Sequence, residues 1–240
     1  MSFAIISDIH SNLEALASAY RYIKKRKDIK EIIILGDIVG YGANPNECIK
    51  FCRSISKNIV VGNHDRAAID SNERIYFNVC AADAADWTEK NLMEENFAYL
   101  NNLPLKISKG RFLFVHSSPH NPEEWSYILN TWEAKFQFSA FDQNICFIGH
   151  SHIPVIFSEK ILPENKNEKH FFSQNSKYII NVGSIGQPRD RNPRLSFVIF
   201  NEDEWSVEYV RLEYDIKRAA GKIVNAGLPS FLAERLFNGY

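Results

Sequence analysis

Runs of apolar and β-branched residues at 3–7, 31–35 and 58–61 are short and continuous rather than alternating, the pattern of strands buried on both faces. Between them Leu13, Leu16, Ala17, Tyr20 and Ile23 recur at helical spacing, as do Cys48, Ile49, Cys52 and Ile55. Strand and helix in alternation predict a parallel α/β core. The helix starts are written locally. Ser11-Asn12-Leu13-Glu14 reads as a capping box in which the Ser11 hydroxyl accepts from the Glu14 N–H, and Asn44-Pro45-Asn46-Glu47 reads as an N-cap followed by a first-turn proline and an acid. Residues 75–102 are predicted helical, in one or two pieces closed by Pro104. Strands are predicted again at 111–115 and 145–148, after which the pattern changes. Candidates at 155–157, 178–181, 195–200 and 206–212, separated by turns, predict a second and more antiparallel sheet. Residues 163–169 read as a polar loop, and 215–240 as two short helices broken at Gly227-Leu228-Pro229.

Composition narrows the class. A chain of 240 residues makes one large domain or two small ones, and with 45% hydrophobic content it can bury a core without disulfides or a structural metal. An aromatic content of 13% excludes a disordered polypeptide. The net charge of -1 lacks the basic excess that a broad nucleic-acid face needs, and the cluster Lys24-Lys25-Arg26-Lys27 sits where it complements a helix dipole. No apolar run approaches the roughly 18 residues of a membrane span. Met1 leads straight into a strand without a signal-peptide pattern, so no membrane association and a cytoplasmic location are expected. Cys48, Cys52, Cys80 and Cys146 form no CxxC pair and read as buried thiols.

The chemistry lies at strand ends. Asp8-Ile9-His10 follows the first apolar run, Gly36-Asp37 the second, Gly62-Asn63-His64-Asp65 the third, His116 the fourth and Gly149-His150-Ser151-His152 the fifth. In open α/β sheets ligands bind beyond the carboxyl ends of strands, so these clusters should converge on one pocket holding carboxylates, imidazoles and an amide, a donor set suited to metal. Each cluster alone is weak evidence, because a histidine at a strand end commonly has a structural role. Their order on this strand pattern is specific.

With these motifs, and with Gly36-Asp37-Ile38-Val39-Gly40-Tyr41-Gly42 and Asn181-Val182-Gly183-Ser184-Ile185-Gly186-Gln187-Pro188-Arg189-Asp190, the sequence resembles the calcineurin-like metallophosphoesterase superfamily, in particular its small bacterial and archaeal single-domain branch. Val182 stands where that branch usually has proline, and Ser11 where glycine often follows the first motif. The resemblance implies a single domain over residues 1–240 and a four-layer α/β sandwich: two mixed sheets face to face, flanked by helices. It also implies a dinuclear centre in which Asp8, His10 and His152 hold one metal, Asn63, His116 and His150 the other, and Asp37 bridges them. His64 is left unligated beside the site, with Asp65 to orient it.

Two divalent ions on such a set leave a net positive pocket. Ions ~3.5–4 Å apart clamp the oxygens of an in-line displacement and make hydroxide available near neutral pH. His64 would then assist the leaving group, with Asp65 favouring its protonated form. Nitrogen and oxygen donors without thiolate suit manganese, iron, nickel, cobalt or zinc. Arg189 is a candidate to fork onto a substrate phosphate, in a segment with Asp190 and Arg191 that reads equally as a solvated turn. His120 lies near His116 in sequence without an assigned role. Tyr41 and Trp125 either flank a nucleobase or aryl leaving group or pack. The expected function is hydrolysis of a phosphate ester, foremost a phosphodiester of a small soluble molecule and possible nucleotide, by a manganese-loaded centre. The alternatives are a dinucleoside polyphosphate (diadenosine tetraphosphate) hydrolase, a non-catalytic binding scaffold of the same fold, and, more weakly, a nuclease.

Overall fold

In the computed structural model, residues 1–166 and 169–240 are described. In chain order the elements are β1 (Ser2–Ile6), α1 (Leu13–Lys25), β2 (Ile29–Ile34), α2 (Pro45–Ile55), β3 (Asn58–Ile59), α3 (Asn63–Ala67), α4 (Val79–Asn91), α5 (Glu94–Asn101), β4 (Lys106–Lys109), β5 (Phe112–Val115), α6 (Thr131–Gln137) and β6 (Ile145–Ile148). There follow β7 (Val155–Ser158), β8 (Glu164–Lys166), β9 (Lys169–Phe171), β10 (Tyr178–Asn181), β11 (Leu195–Asn201), β12 (Ser206–Leu212), α7 (Ile216–Asn225) and α8 (Ser230–Asn238).

Two mixed sheets carry the fold, one ordered β3-β2-β1-β11-β12-β9-β8 and the other β4-β5-β6-β10-β7. In the first, β1, β2 and β3 are parallel and β11 runs antiparallel to β1; in the second, β5, β6 and β10 are parallel. Side-chain alternation along each strand sorts residues between layers. Phe3 and Ile5 face inward onto Phe112, Phe114, Phe147 and Ile180 of the opposite sheet. Ala4 and Ile6 face outward onto Leu16, Ala19, Cys48 and Cys52 of α1 and α2. On the far side, Leu113, Val115 and Cys146 pack against Ala134 of α6 and against Phe138. The result is helix, sheet, sheet, helix.

Two sequence expectations need correction. The later strands do not form a sheet of their own. β11 and β12 extend the β1 sheet, whereas β7 and β10 join β5 and β6. The β1 edge would otherwise leave a row of buried N–H and C=O groups unpaired, and β11 covers it from Ser2↔Asn201 to Ile5↔Val198. The cap of α1 is also one residue later than predicted: Asn12 Oδ1 accepts the Ala15 N–H at 3.1 Å, while the Ser11 hydroxyl is buried without a partner. Ser11 belongs to the strand-end loop, where its N–H donates to Ile38 O at 2.9 Å. Glu14 turns instead to Lys222 Nζ at 2.7 Å.

The helical stretch after residue 75 resolves into α4 and α5, and the C-terminal pair into α7 and α8 on either side of Gly227-Leu228-Pro229. The predicted loop 163–169 contains β8 and the first residue of β9, which pair with each other; 167 and 168 lie outside the described residues. No helix among the described residues is long and apolar enough to cross a membrane.

Candidate metal centre

The loops after β1, β2, β3, β5 and β6 meet at one end of the sandwich. Asp8, His10, Asp37, His150 and His152 all have left-handed backbone, with φ between 49° and 66°. Non-glycine residues reach that region at a cost, which is sustained only where surrounding structure overdetermines it. Here the loops hold one another: the Ile9 and His10 N–H groups donate to Asp37 O at 2.8 and 2.9 Å, and Ser184 Oγ donates to Asp8 O at 2.9 Å. Gly62 is required by close approach, because a Cβ there would collide with the Asp37 carboxylate and backbone.

Ligand atoms gather in two groups that share Asp37: Asp8, His10, Asp37 and His152 in one, Asp37, His116 and His150 in the other, each group with its ligand atoms within 4.8 Å of one another. Asn63 completes the second group, its Oδ1 3.1 Å from His116 Nε2. Asp37 Oδ1 accepts the His64 N–H at 2.8 Å, and its Oδ2 faces His116 Nε2 at 3.3 Å and His10 Nε2 at 3.6 Å. Asp8 Oδ1 faces His152 Nε2 at 3.2 Å.

Backbone carbonyls set the ring tautomers. A carbonyl can only accept, so the nitrogen beside it must carry the proton. Nδ1–H of His10 donates to Val39 O at 3.1 Å, that of His116 to Leu35 O at 2.6 Å and that of His152 to Gln187 O at 2.5 Å. His150 is reversed, with Nε2–H donating to Trp125 O at 2.8 Å. Burial pushes the His10 and His152 pKa values down, so both rings are neutral, and their unprotonated Nε2 atoms confront each other at 3.1 Å. Two lone pairs at that distance repel unless a cation or proton lies between them. Burial opposes ionisation of Asp8 and Asp37 too, yet the charged ring of His116, next to Asp37 and acting on Asp8 as well, helps to hold both carboxyls below their ordinary range. Anionic oxygens, imidazole nitrogens and an amide oxygen, all desolvated and convergent, fit hard-to-borderline divalent cations.

His64 stands beside this group, its ring packed 4.3 Å from Tyr41, 4.6 Å from Phe77 and 4.9 Å from His10, centroid to centroid. Burial lowers its pKa to about 4, and its Nδ1 has no hydrogen-bond partner. Asp65 does not orient this ring, contrary to the sequence expectation. Its carboxylate accepts the N–H groups of Ile38 (2.9 Å), Val39 (3.1 Å) and Gly62 (3.0 Å). Asp65 therefore ties the loop after β2 to the loop after β3. A carboxylate three residues into a helix is placed to reach back to the N-cap N–H, and that local geometry overrides a contact with the neighbouring side chain.

Arg189 reaches the rim, its Nη2 3.3 Å from Tyr41 Oη and 3.0 Å from Gln187 Oε1. Asp190 instead pairs with Arg211, and the Arg191 N–H donates to Gly239 O at 2.7 Å. His120 is exposed, with its N–H on Gln137. Tyr41 is buried between His10 and His64, so neither ring face is open to a base. Trp125 serves the site through its carbonyl, while its Nε1 donates to Glu73 at 3.2 Å. The aromatic that caps the rim is Tyr127, stacked on His150 at 4.0 Å and 48% exposed. It lies twelve residues beyond the end of β5, so no strand-end signal marked it.

Comparison with known proteins follows this geometry. Residues 1–204 match the model of the calcineurin-like phosphoesterase superfamily domain. An uncharacterized protein of Methanocaldococcus jannaschii is 45% identical over 244 residues, covering 98% of this chain and 97% of its own. The crystal structure of a metallophosphoesterase from Sphaerobacter thermophilus is similar with a TM-score of 0.87 at 38% identity, covering 100% of both chains. A hypothetical protein from Pyrococcus horikoshii shares the fold with a TM-score of 0.83 at 21% identity, covering 100% of this chain and 98% of that one.

Proposed function

Because the chain belongs to the calcineurin-like phosphoesterase superfamily, we propose that it is a dinuclear metal-dependent phosphoesterase acting on phosphodiesters of small soluble molecules. The observation that carries this reading is the pair of donor groups sharing Asp37, with each imidazole's other nitrogen pinned to a backbone carbonyl. Asp8, His10 and His152 would hold one ion, Asn63, His116 and His150 the other, and Asp37 both. Manganese is the ion proposed, with iron, nickel, cobalt and zinc compatible with the same donors. Two such cations supply Lewis acidity towards phosphoryl oxygens and lower the pKa of water.

The protein's own side chains do the rest. His64, neutral near pH 7, donates an N–H hydrogen bond to the leaving-group oxygen as negative charge develops there. Asp65 keeps the loops carrying Asp37 and Asn63 in register through its three N–H contacts. Arg189 presents its guanidinium to a non-reacting phosphoryl oxygen, held by Tyr41 and Gln187. An intact His64 beside a full donor set favours an enzyme over a scaffold that has kept only the fold.

The test is hydrolysis of bis(4-nitrophenyl) phosphate by chelator-stripped protein before and after adding Mn2+. Activity should be lost on stripping and return with the metal. Turnover that survives stripping, or none with any of the five metals, would overturn the reading.

A further inference from the structure

The side chain of Arg235, on α8, is held between two aromatic rings, its guanidinium carbon 5.4 Å from the Phe231 centroid and 6.0 Å from that of Tyr41. The Arg189 guanidinium carbon lies 5.8 Å from the same Tyr41 centroid. Tyr41 in turn touches His10 and His64, with centroids at 4.7 and 4.3 Å. One ring therefore touches His10 and His64 as well as two guanidinium groups.

Neither guanidinium has an Asp or Glu partner among the described residues, whereas other half-buried arginines do: Arg74 pairs with Asp86 and Glu89, and Arg211 with Asp190. Arg235 gives its Nε–H to the backbone oxygen of Tyr240, and the Arg189 Nε is buried without any partner. Burial, with the neighbouring Arg189 next, pushes the Arg235 pKa down to about 10. A planar guanidinium fixed on an aromatic face is pre-organised for a bidentate contact with phosphate. Two of them, positioned without carboxylates, leave the site one anion short.

We infer that Arg189 and Arg235 form a subsite for a second, non-scissile phosphate, so that the substrates are phosphodiesters carrying an additional phosphate group. This rests on the phosphoesterase reading above and specifies the substrate class of the same site. Arg189 spans the scissile and the additional phosphate, and Arg235 extends the grip outward along the Tyr41 ring.

The experiment compares the 4-nitrophenyl ester of thymidine 5′-phosphate with the same ester bearing a 3′-phosphate, on Mn2+-loaded protein. The phosphorylated ester should have a kcat/KM at least ten-fold higher. Arg235→Gln should bring that ratio to within two-fold of unity, and Arg235→Lys should keep an intermediate preference, which a purely structural role for Arg235 would not produce. A second arm needs no turnover. Calorimetric titration should show thymidine 3′,5′-bisphosphate binding at least ten-fold more tightly than thymidine 5′-monophosphate, with the difference lost in Arg235→Gln. If neither ester is hydrolysed, the phosphoesterase reading fails and the binding arm alone decides the subsite. Equal binding of the two nucleotides by the wild-type protein, or a preference untouched by Arg235→Gln, would overturn the inference.

Discussion

Asp37 Oδ2 stands 3.3 Å from His116 Nε2, both groups are sealed from solvent, and the other His116 nitrogen is committed to Leu35 O. Burial is the largest single influence and disfavours a charged His116, but the adjacent Asp37 carboxylate, together with Asp8 and the Leu35 carbonyl, raises the pKa from 6.5 to about 9. Without metal the pair is thus a buried ion pair at neutral pH. A metal must displace the proton on Nε2 to reach the nitrogen.

The pH dependence of the metal-free protein follows from that pair. A raised His116 pKa adds stability that is fully present below pH 6.5 and is lost as pH rises through about 9. The depressed Asp37 pKa adds stability present above 3.8 and lost as pH falls below it. In excess chelator, Tm should fall between about pH 7 and 10, and His116→Ala should flatten that slope. Mn2+ binding at pH 7.5 should release protons, seen as a calorimetric heat that varies with the buffer's ionisation enthalpy. A Tm independent of pH across this range would contradict the assignment.

Replacing Asp37 with Asn removes the one oxygen common to both donor groups. Losing an outer-shell partner already costs about 10–100-fold in metal affinity, so losing the shared carboxylate should exceed 100-fold. Metal content after dialysis should drop from two ions per chain, with phosphodiester hydrolysis falling in parallel.

His64→Ala should leave metal content unchanged and lower kcat by about 10²–10⁴-fold for an ester with a poor leaving group. The loss should shrink for a 4-nitrophenolate leaving group, which needs little help in departing. A loss independent of leaving-group pKa would assign His64 a structural role instead.

Gly40 tests the placement of that histidine without touching it. Its φ is +93°, and a Cβ there would lie 2.7 Å from His64 Nδ1. Gly40→Ala should cost about 1–2 kcal/mol in backbone strain, read from chemical denaturation. It should also reduce turnover at least ten-fold while both metals remain bound, because the ring must shift.

Much of the site was legible in the sequence because each metal-ligand candidate sits within four residues of an apolar run, and strand ends are where α/β loops converge. Asp8, His10, Asp37, Asn63, His116, His150 and His152 could be picked out on that ground, and the structure brings them together. What side chains do once gathered was not legible. Asp65 follows His64 in sequence, yet its carboxylate faces three backbone N–H groups. Tyr127 and Arg235 carry no local mark, since their approach to His150 and Tyr41 depends on a long loop and a distant helix.

By itself the sequence determined the alternation of strand and helix, the buried periodicities and the placement of polar clusters after apolar runs. These depend on side-chain chemistry within a few residues. Only the tertiary structure decided that β11 covers the edge of β1, that carbonyls of Val39, Leu35, Gln187 and Trp125 select the ring nitrogens, and that two arginines from separate segments share Tyr41. Backbone hydrogen bonding and the approach of like charges are satisfied between segments far apart in the chain, so no local pattern encodes which partners meet.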